Sequence, residues 1–239
     1  MTSRAVVFDY FGTLTPTVLH MITEAEQMTL GEALGVDPDE LEAAWRSSFV
    51  VRSTGRTGDL RATLRLLSRQ VGGAPTEAGL DEATRIRATA YRRCATPRPE
   101  SVEVLTLLRE RGLRLAVVSD CSDELVVMWP TLSIAHAVDA TVFSAVEGVR
   151  KPDPLMYRRA CERLGVSPSD CLYVGDGGSG ELTGATDFGM RAVLLADRDW
   201  ADGHRYDADT WQGETIHALT AVPALLTAPD PDESRRPST

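Results

Sequence analysis

Beyond Pro97 and Pro99, short apolar runs alternate with segments of helical period, and this rhythm constrains the fold more than any other feature of the chain. Ser101–Arg111 reads as a helix stopped by Gly112, followed by a strand at Leu113–Val118. A helix near Asp123–Met128 precedes a strand at Thr141–Ser144, and a helix at Leu155–Leu164, ended by Gly165, precedes a strand at Cys171–Val174. A short helix from Glu181 then leads to a strand at Ala192–Leu195. Alternation of this kind predicts a parallel sheet covered by helices on both faces. The expected class is α/β, with a Rossmann-like parallel sheet.

The β-branched run Ala5–Phe8, closed by Asp9 and a Gly12-Thr13 turn, supplies the first strand of that sheet. After that turn the rhythm breaks. Four helix-period segments run on with no strand between them. They carry Ile22, Ala25, Met28 and Ala33; then Leu41, Ala44, Trp45 and Phe49 after an Asp37-Pro38 start signal; then Leu60, Leu64, Leu67 and Val71; then Ala83, Ile86, Ala90 and Cys94. Apolar residues three and four apart give each helix one stripe to bury, so the four can pack on one another as a unit. The expected organisation is a core of residues 1–15 and 98–228, an inserted four-helix cap at 16–97, and a disordered tail at 229–239, where Pro, Asp, Ser and Arg dominate.

Composition narrows the function classes. The 239 residues carry a net charge of −10, which argues against a nucleic-acid surface, and no apolar stretch is long enough to span a membrane. The apolar run at the N-terminus is too short for a secretory leader, so a cytoplasmic location is expected. Cys94, Cys121, Cys161 and Cys171 show no metal-ligand spacing and read as reduced, packed thiols. His136, His204 and His217 likewise share no metal spacing.

Twenty-four of the 25 basic residues are arginine; the single lysine is Lys151, in Gly-Val-Arg-Lys-Pro-Asp-Pro. Lysine is a compact point charge on a flexible stem, suited to reach between crowded anions. Ligands of an open parallel sheet sit outside the carboxyl ends of its strands. Those ends carry Asp9, Ser119 and Asp176, with Lys151 in a neighbouring connection. Two carboxylates, a hydroxyl and an ammonium suit a phosphoryl group better than they suit packing.

These residues fall in four ordered motifs: Val7-Phe8-Asp9-Tyr10-Phe11-Gly12-Thr13-Leu14, Val117-Val118-Ser119, Arg150-Lys151-Pro152-Asp153, and Val174-Gly175-Asp176-Gly177 continuing to Glu181, Gly184 and Ala185. With these motifs the sequence resembles the haloacid dehalogenase-like (HAD) superfamily of hydrolases over residues 5 to about 196. The resemblance implies that Asp9 is a nucleophile forming a covalent aspartyl intermediate, that Ser119 bonds a phosphoryl oxygen, and that Lys151 neutralises both. It also implies Mg²⁺ held by Asp9, Asp176 and the Phe11 carbonyl, with Glu181 steadying the cluster from behind or through water. Gly12 and Thr13 would turn the backbone tightly against the bound anion.

One departure matters. Phosphatases of the superfamily usually carry a second Asp two positions after the nucleophile as general acid and base, and here that position is Phe11. General acid–base help is worth about 10²–10⁴-fold, or roughly 3–5 kcal/mol of barrier. Several readings stay open. A dehalogenase has an aromatic residue here and needs no metal, but lacks the Gly-Asp-Gly segment. A phosphonatase needs a cap lysine, which is absent. A phosphohydrolase would act on an activated leaving group or borrow an acid from His20, Glu24 or Asp120, and a weakly active or ligand-binding protein would need none. The expectation is a Mg²⁺-dependent hydrolase of a small phosphorylated metabolite, with Gly12, Thr13, Asp120, His20 and Arg52 as substrate contacts.

Four further signals receive the blander reading. Gly175–Gly180 fits the dinucleotide GxGxxG pattern with Asp197 about 20 residues on, but it would aim a carboxylate at a pyrophosphate. Arg46, Arg52 and Arg56 could meet an anionic substrate tail, although surface arginines are usually just solvated. Trp45 reads as a packing residue of the cap, and Cys121 as a packed thiol near the crevice.

Overall fold

The computed structural model describes residues 3–17, 21–196 and 210–226. Strands β1 (Ala5–Phe8), β2 (Arg114–Ser119), β3 (Ala140–Phe143), β4 (Cys171–Gly175), β5 (Arg191–Leu195) and β6 (Thr215–Ile216) form one sheet in the order β3-β2-β1-β4-β5-β6. Every adjacent pair is parallel. Alternate residues serve opposite faces. Val6, Phe8, Leu115, Val117, Leu172 and Val174 join one hydrophobic cluster, and Ala5, Val7, Ala116, Val118, Cys171 and Tyr173 join another. Both faces are therefore dry, which accounts for strands that read as unbroken apolar runs.

Between β1 and Pro97 lie α1 (Glu24–Leu34), α2 (Pro38–Ser47), α3 (Phe49–Ser53), α4 (Leu60–Gln70) and α5 (Glu77–Cys94). The start signals act as their chemistry requires. Thr23 and Glu26 close a reciprocal capping box on α1, and the Asp37 carboxylate accepts from the Asp39 and Glu40 amides at the head of α2. Leu30, Leu34, Leu41, Leu64, Leu67, Leu80 and Ile86 share a third hydrophobic cluster whose buried members all come from residues 22–90. Among the described residues there are five helices here, not the four expected. The break comes at Ser48, whose hydroxyl donates to the Trp45 carbonyl at 2.8 Å and accepts from Arg52 Nε at 3.0 Å. A serine that binds its own preceding turn competes with the helix ladder, so Phe49 starts a new helix.

The rest of the chain supplies α6 (Pro99–Glu110), α7 (Asp123–Met128), α8 (Ser144–Glu147), α9 (Pro154–Leu164), α10 (Glu181–Asp187) and α11 (Val222–Leu225). Helices α6, α7 and α11 cover the first sheet face, and α9 and α10 the second. Two local expectations change. Ser144 begins α8 instead of ending β3, because its hydroxyl leaves the strand to bond the Cys121 amide and carbonyl. The two-residue edge strand β6 carries no alternating apolar pattern and was not foreseen. No helix among the described residues is long and apolar enough to cross a membrane. The expected tail at 229–239 lies outside the described residues.

The two chain crossings between sheet and helical insertion are tied together. Arg98 donates from Nη2 to the Gly12 carbonyl and from Nε to the Thr15 carbonyl, both at 3.0 Å, and the Ser101 hydroxyl donates to the Leu14 carbonyl at 2.7 Å.

Candidate active site

The sheet register brings the chemistry to one edge. Phe8 pairs with Val117 on one side and Val174 on the other, so Asp9, Ser119 and Asp176 all emerge within two residues of that row. Lys151 reaches the same place from the connection between α8 and α9. Its backbone N–H donates to Asp120 Oδ1 at 2.9 Å, while Asp120 Oδ2 faces Arg150 Nε at 3.5 Å. Asp120 thus fixes the loop that carries the lysine.

Lys151 Nζ donates to Asp9 Oδ1 and to Glu181 Oε2, each at 2.5 Å, and all three residues are buried. Glu181 is otherwise engaged as well. Its Oε2 accepts from the Tyr173 hydroxyl at 2.8 Å and its Oε1 from the Gly177 amide at 2.9 Å. Asp176 is only partly buried, and its Oδ1 accepts from the Gly178 amide at 2.9 Å. One oxygen from each of Asp9, Asp176 and Glu181 lies within 4.8 Å of the others.

Burial pushes the Asp9 carboxyl from 3.8 up to about 7, the Glu181 charge adds to the rise, and Lys151 opposes it. Burial likewise lifts Glu181 to about 7 against the pull of Lys151. Desolvation works against the Lys151 ammonium, but Asp9 and Glu181 outweigh it and hold the amine well above its usual range. With every group ionised, three carboxylates and one ammonium leave two negative charges unbalanced. One divalent cation on hard oxygen ligands would cancel them, so the donor set fits Mg²⁺.

Of the remaining expected residues, Phe11, Gly12, Asp120 and Arg52 line the cavity at this cluster, and Ser119 and Thr13 do not. Ser119 and Thr13 are fully buried, and neither hydroxyl has a hydrogen-bond partner. Gly12 has φ of +79°, and a Cβ there would stand 2.6 Å from Asp176 Oδ2, so only glycine fits. Phe11 stands half-buried beside the cluster, its ring edge-on to Tyr91 at 5.8 Å. A cavity of about 360 Å³ opens over Asp9, Lys151 and Asp176 and is walled by Phe11 and by Trp45, Phe49, Arg52 and Tyr91 of the insertion. Arg52 Nε and Nη2 turn back to Ser48 Oγ and the Trp45 carbonyl, and its guanidinium lies 4.1 Å over the Trp45 ring. Trp45 is both a packing residue and a cavity wall. Cys121 is buried at the same cavity, with its thiol pushed up by desolvation. Arg46 and Arg56 are exposed and do not line it. His20, Asp197 and His204 lie outside the described residues.

Sequence reasoning passed over Tyr173, Arg98 and Tyr91. A tyrosine inside a strand buried on both faces must find a partner for its hydroxyl, and that requirement was a readable signal for Tyr173. Nothing local marked Arg98 or Tyr91.

Fold and site define an α/β protein with its polar groups gathered at the carboxyl edge of a parallel sheet. The chain belongs to the haloacid dehalogenase-like hydrolases, whose family profile matches residues 3–189. It is 30% identical to glyceraldehyde 3-phosphate phosphatase of Methanopyrus kandleri over 80% of this chain and 83% of that one. It is 28% identical to (S)-2-haloacid dehalogenase 1 of a Pseudomonas species over 93% and 96%. The crystal structure of 2-haloacid dehalogenase from Pseudomonas syringae superposes with a TM-score of 0.71 at 25% identity, covering 94% of this chain and 98% of that one. Phosphatases and dehalogenases thus both stand among its relatives.

Proposed function

We propose that this hydrolase is a Mg²⁺-dependent phosphatase of small phosphorylated metabolites, working through an aspartyl-phosphate on Asp9. The observation that carries the reading is Asp176, a partly exposed third acid within 4.8 Å of the buried Asp9–Lys151–Glu181 group. A dehalogenation site has no use for that extra negative charge, whereas a divalent cation requires it. Asp9 and Asp176 would hold Mg²⁺, with the Phe11 carbonyl as the family resemblance implies, and the ion would supply charge neutralisation at the phosphoryl oxygens. Both oxygens of Glu181 are taken by Lys151, Tyr173 and the Gly177 amide, so its part is to hold the lysine in place.

The chain's own groups carry out the chemistry. An Asp9 oxygen attacks phosphorus while the bond to the leaving oxygen breaks, and Lys151 offsets the charge gathered there. Ser119, whose hydroxyl lacks a protein partner, donates to a phosphoryl oxygen. Phe11 offers no proton, so the leaving group departs as its oxyanion. Water next attacks phosphorus, the Asp9–phosphorus bond breaks, and inorganic phosphate leaves. The helical insertion acts as the cap that keeps other water out, hinged near Thr15–Thr17 and Thr96–Pro99.

The dehalogenase reading has one observation in its favour, the aromatic Phe11 beside the nucleophile. Phosphate release from p-nitrophenyl phosphate in Mg²⁺ and in EDTA, set beside halide release from 2-chloropropionate, decides between them. Phosphate release that EDTA abolishes and Asp9→Asn removes is expected. Halide release indifferent to EDTA, with no phosphate release, would overturn the proposal.

A further inference from the structure

Resting on the phosphatase reading, we infer that the leaving group this site accepts is a flat aromatic alcohol, so that the substrates are aryl phosphate monoesters. The cavity above Asp9 is lined by two chemically distinct sets of residues. One set is polar, with Lys151, Asp120, Asp176, Ser122 and Ser179, and would suit a phosphoryl group accompanied by a divalent cation. The other set is Phe11, Met21, Trp45, Phe49, Tyr91 and Cys94, four of them ring-bearing, interrupted by Thr17 and by Arg52, whose Nε and Nη2 are turned to Ser48 and the Trp45 carbonyl.

Those walls are braced. Phe11 and Tyr91 meet edge to face at 5.8 Å and 80°, forming a corner. The Trp45 ring is held by the Arg52 guanidinium at 4.1 Å and the Arg87 guanidinium at 3.5 Å, and Arg150 lies 5.5 Å over the Phe49 ring. A sugar or polyol leaving group would bury hydroxyls against these surfaces, and each one left unpaired would weaken binding by roughly tenfold. An aromatic ring loses nothing there and gains edge-to-face contacts. Size agrees: an apolar cavity of about 150 Å³ holds a benzene ring, and the 360 Å³ here has room for a ring plus the phosphoryl group.

Reactivity points the same way through the same residue. Phe11 places a ring where a proton donor would otherwise stand, so the site favours a leaving group that is stable as an anion. A phenoxide meets that condition and an alkoxide does not. One side chain therefore shapes the wall for an aryl group and removes the acid that an aryl group does not need.

The test separates ring recognition from leaving-group activation and from turnover. Phenylphosphonate and methylphosphonate, neither of which can be hydrolysed at an ester oxygen, are titrated calorimetrically into wild type and Phe49→Ala with Mg²⁺ present. Phenylphosphonate is expected to bind wild type at least tenfold more tightly, as burial of one ring requires. Phe49→Ala, at a half-buried position, should cut that preference several-fold while leaving methylphosphonate unchanged and the melting curve cooperative. In turnover, phenyl phosphate should exceed acetyl phosphate in kcat/KM, although acetate is the better leaving group. Equal affinities for the two phosphonates, or a preference untouched by Phe49→Ala, would overturn the inference. So would acetyl phosphate outrunning phenyl phosphate. Ring preference in binding with no phosphate released from any ester would instead sink phosphoryl transfer and leave the aromatic pocket standing.

Discussion

Asp9→Asn should make the metal-free protein more stable, and more so as pH rises. In the folded chain Asp9 is desolvated and faces the Glu181 carboxylate, which lifts its pKa from 3.8 to about 7. Above pH 4 the unfolded chain has lost this proton while the folded chain still holds it, so stability falls as pH climbs and levels off past the folded value. At about 1.4 kcal/mol per pH unit between those limits, the penalty reaches about 4 kcal/mol at pH 7.5 and is below about 2 kcal/mol at pH 5. Asparagine cannot ionise and keeps an oxygen for Lys151. For a chain of this size each kcal/mol moves Tm by about 2–4 °C. Calorimetric melts in EDTA should therefore show the variant above wild type, with the gap widening by about 5–10 °C between pH 5 and pH 7.5. A gap that ignores pH, or a variant less stable at pH 7.5, would refute the idea that Asp9 is a desolvated and electrostatically strained group.

Two other substitutions probe neighbouring parts of the site. Phe11→Asp should place an acid beside Asp9 and raise kcat/KM on alkyl phosphates by about 10–100-fold while changing p-nitrophenyl phosphate far less; steady-state rates on the two ester classes check it. Gly55, with φ of +69°, packs its Cα against the Ala145 carbonyl, and a Cβ there would sit 2.3 Å from that oxygen. Gly55→Ala should lower Tm by a few degrees through left-handed strain and push the loop after α3 off α8, dropping kcat/KM about tenfold. A lower Tm with unchanged kinetic constants would show that this contact has no bearing on the cavity.

Much of the site could be read from residue types at strand ends. Asp9, Ser119 and Asp176 terminate runs whose apolar character already marked them as interior strands, and ligand crevices form at such ends. Lys151 stood out because every other basic residue is arginine. What these signals could not supply was the use each group makes of its oxygens and protons. Glu181 and Asp176 look alike in one dimension. In space Glu181 is saturated by Lys151, Tyr173 and a backbone amide, whereas Asp176 keeps a face toward the cavity. Asp120, a candidate proton donor by proximity, turns out to brace the Lys151 backbone and Arg150.

Local chemistry alone determined the alternation of strands and helices, the helical interruption after the first strand, and the polar residues that close the strands. These features arise from periodicity, capping and burial, which act over a few residues at a time. Only the tertiary structure decided that residues more than 140 positions apart, Asp9 and Lys151, share a hydrogen bond, and that Phe11 meets Tyr91 from the far end of the insertion. Distances of that kind depend on how whole layers pack, because desolvation and charge pairing take their values from everything surrounding a group.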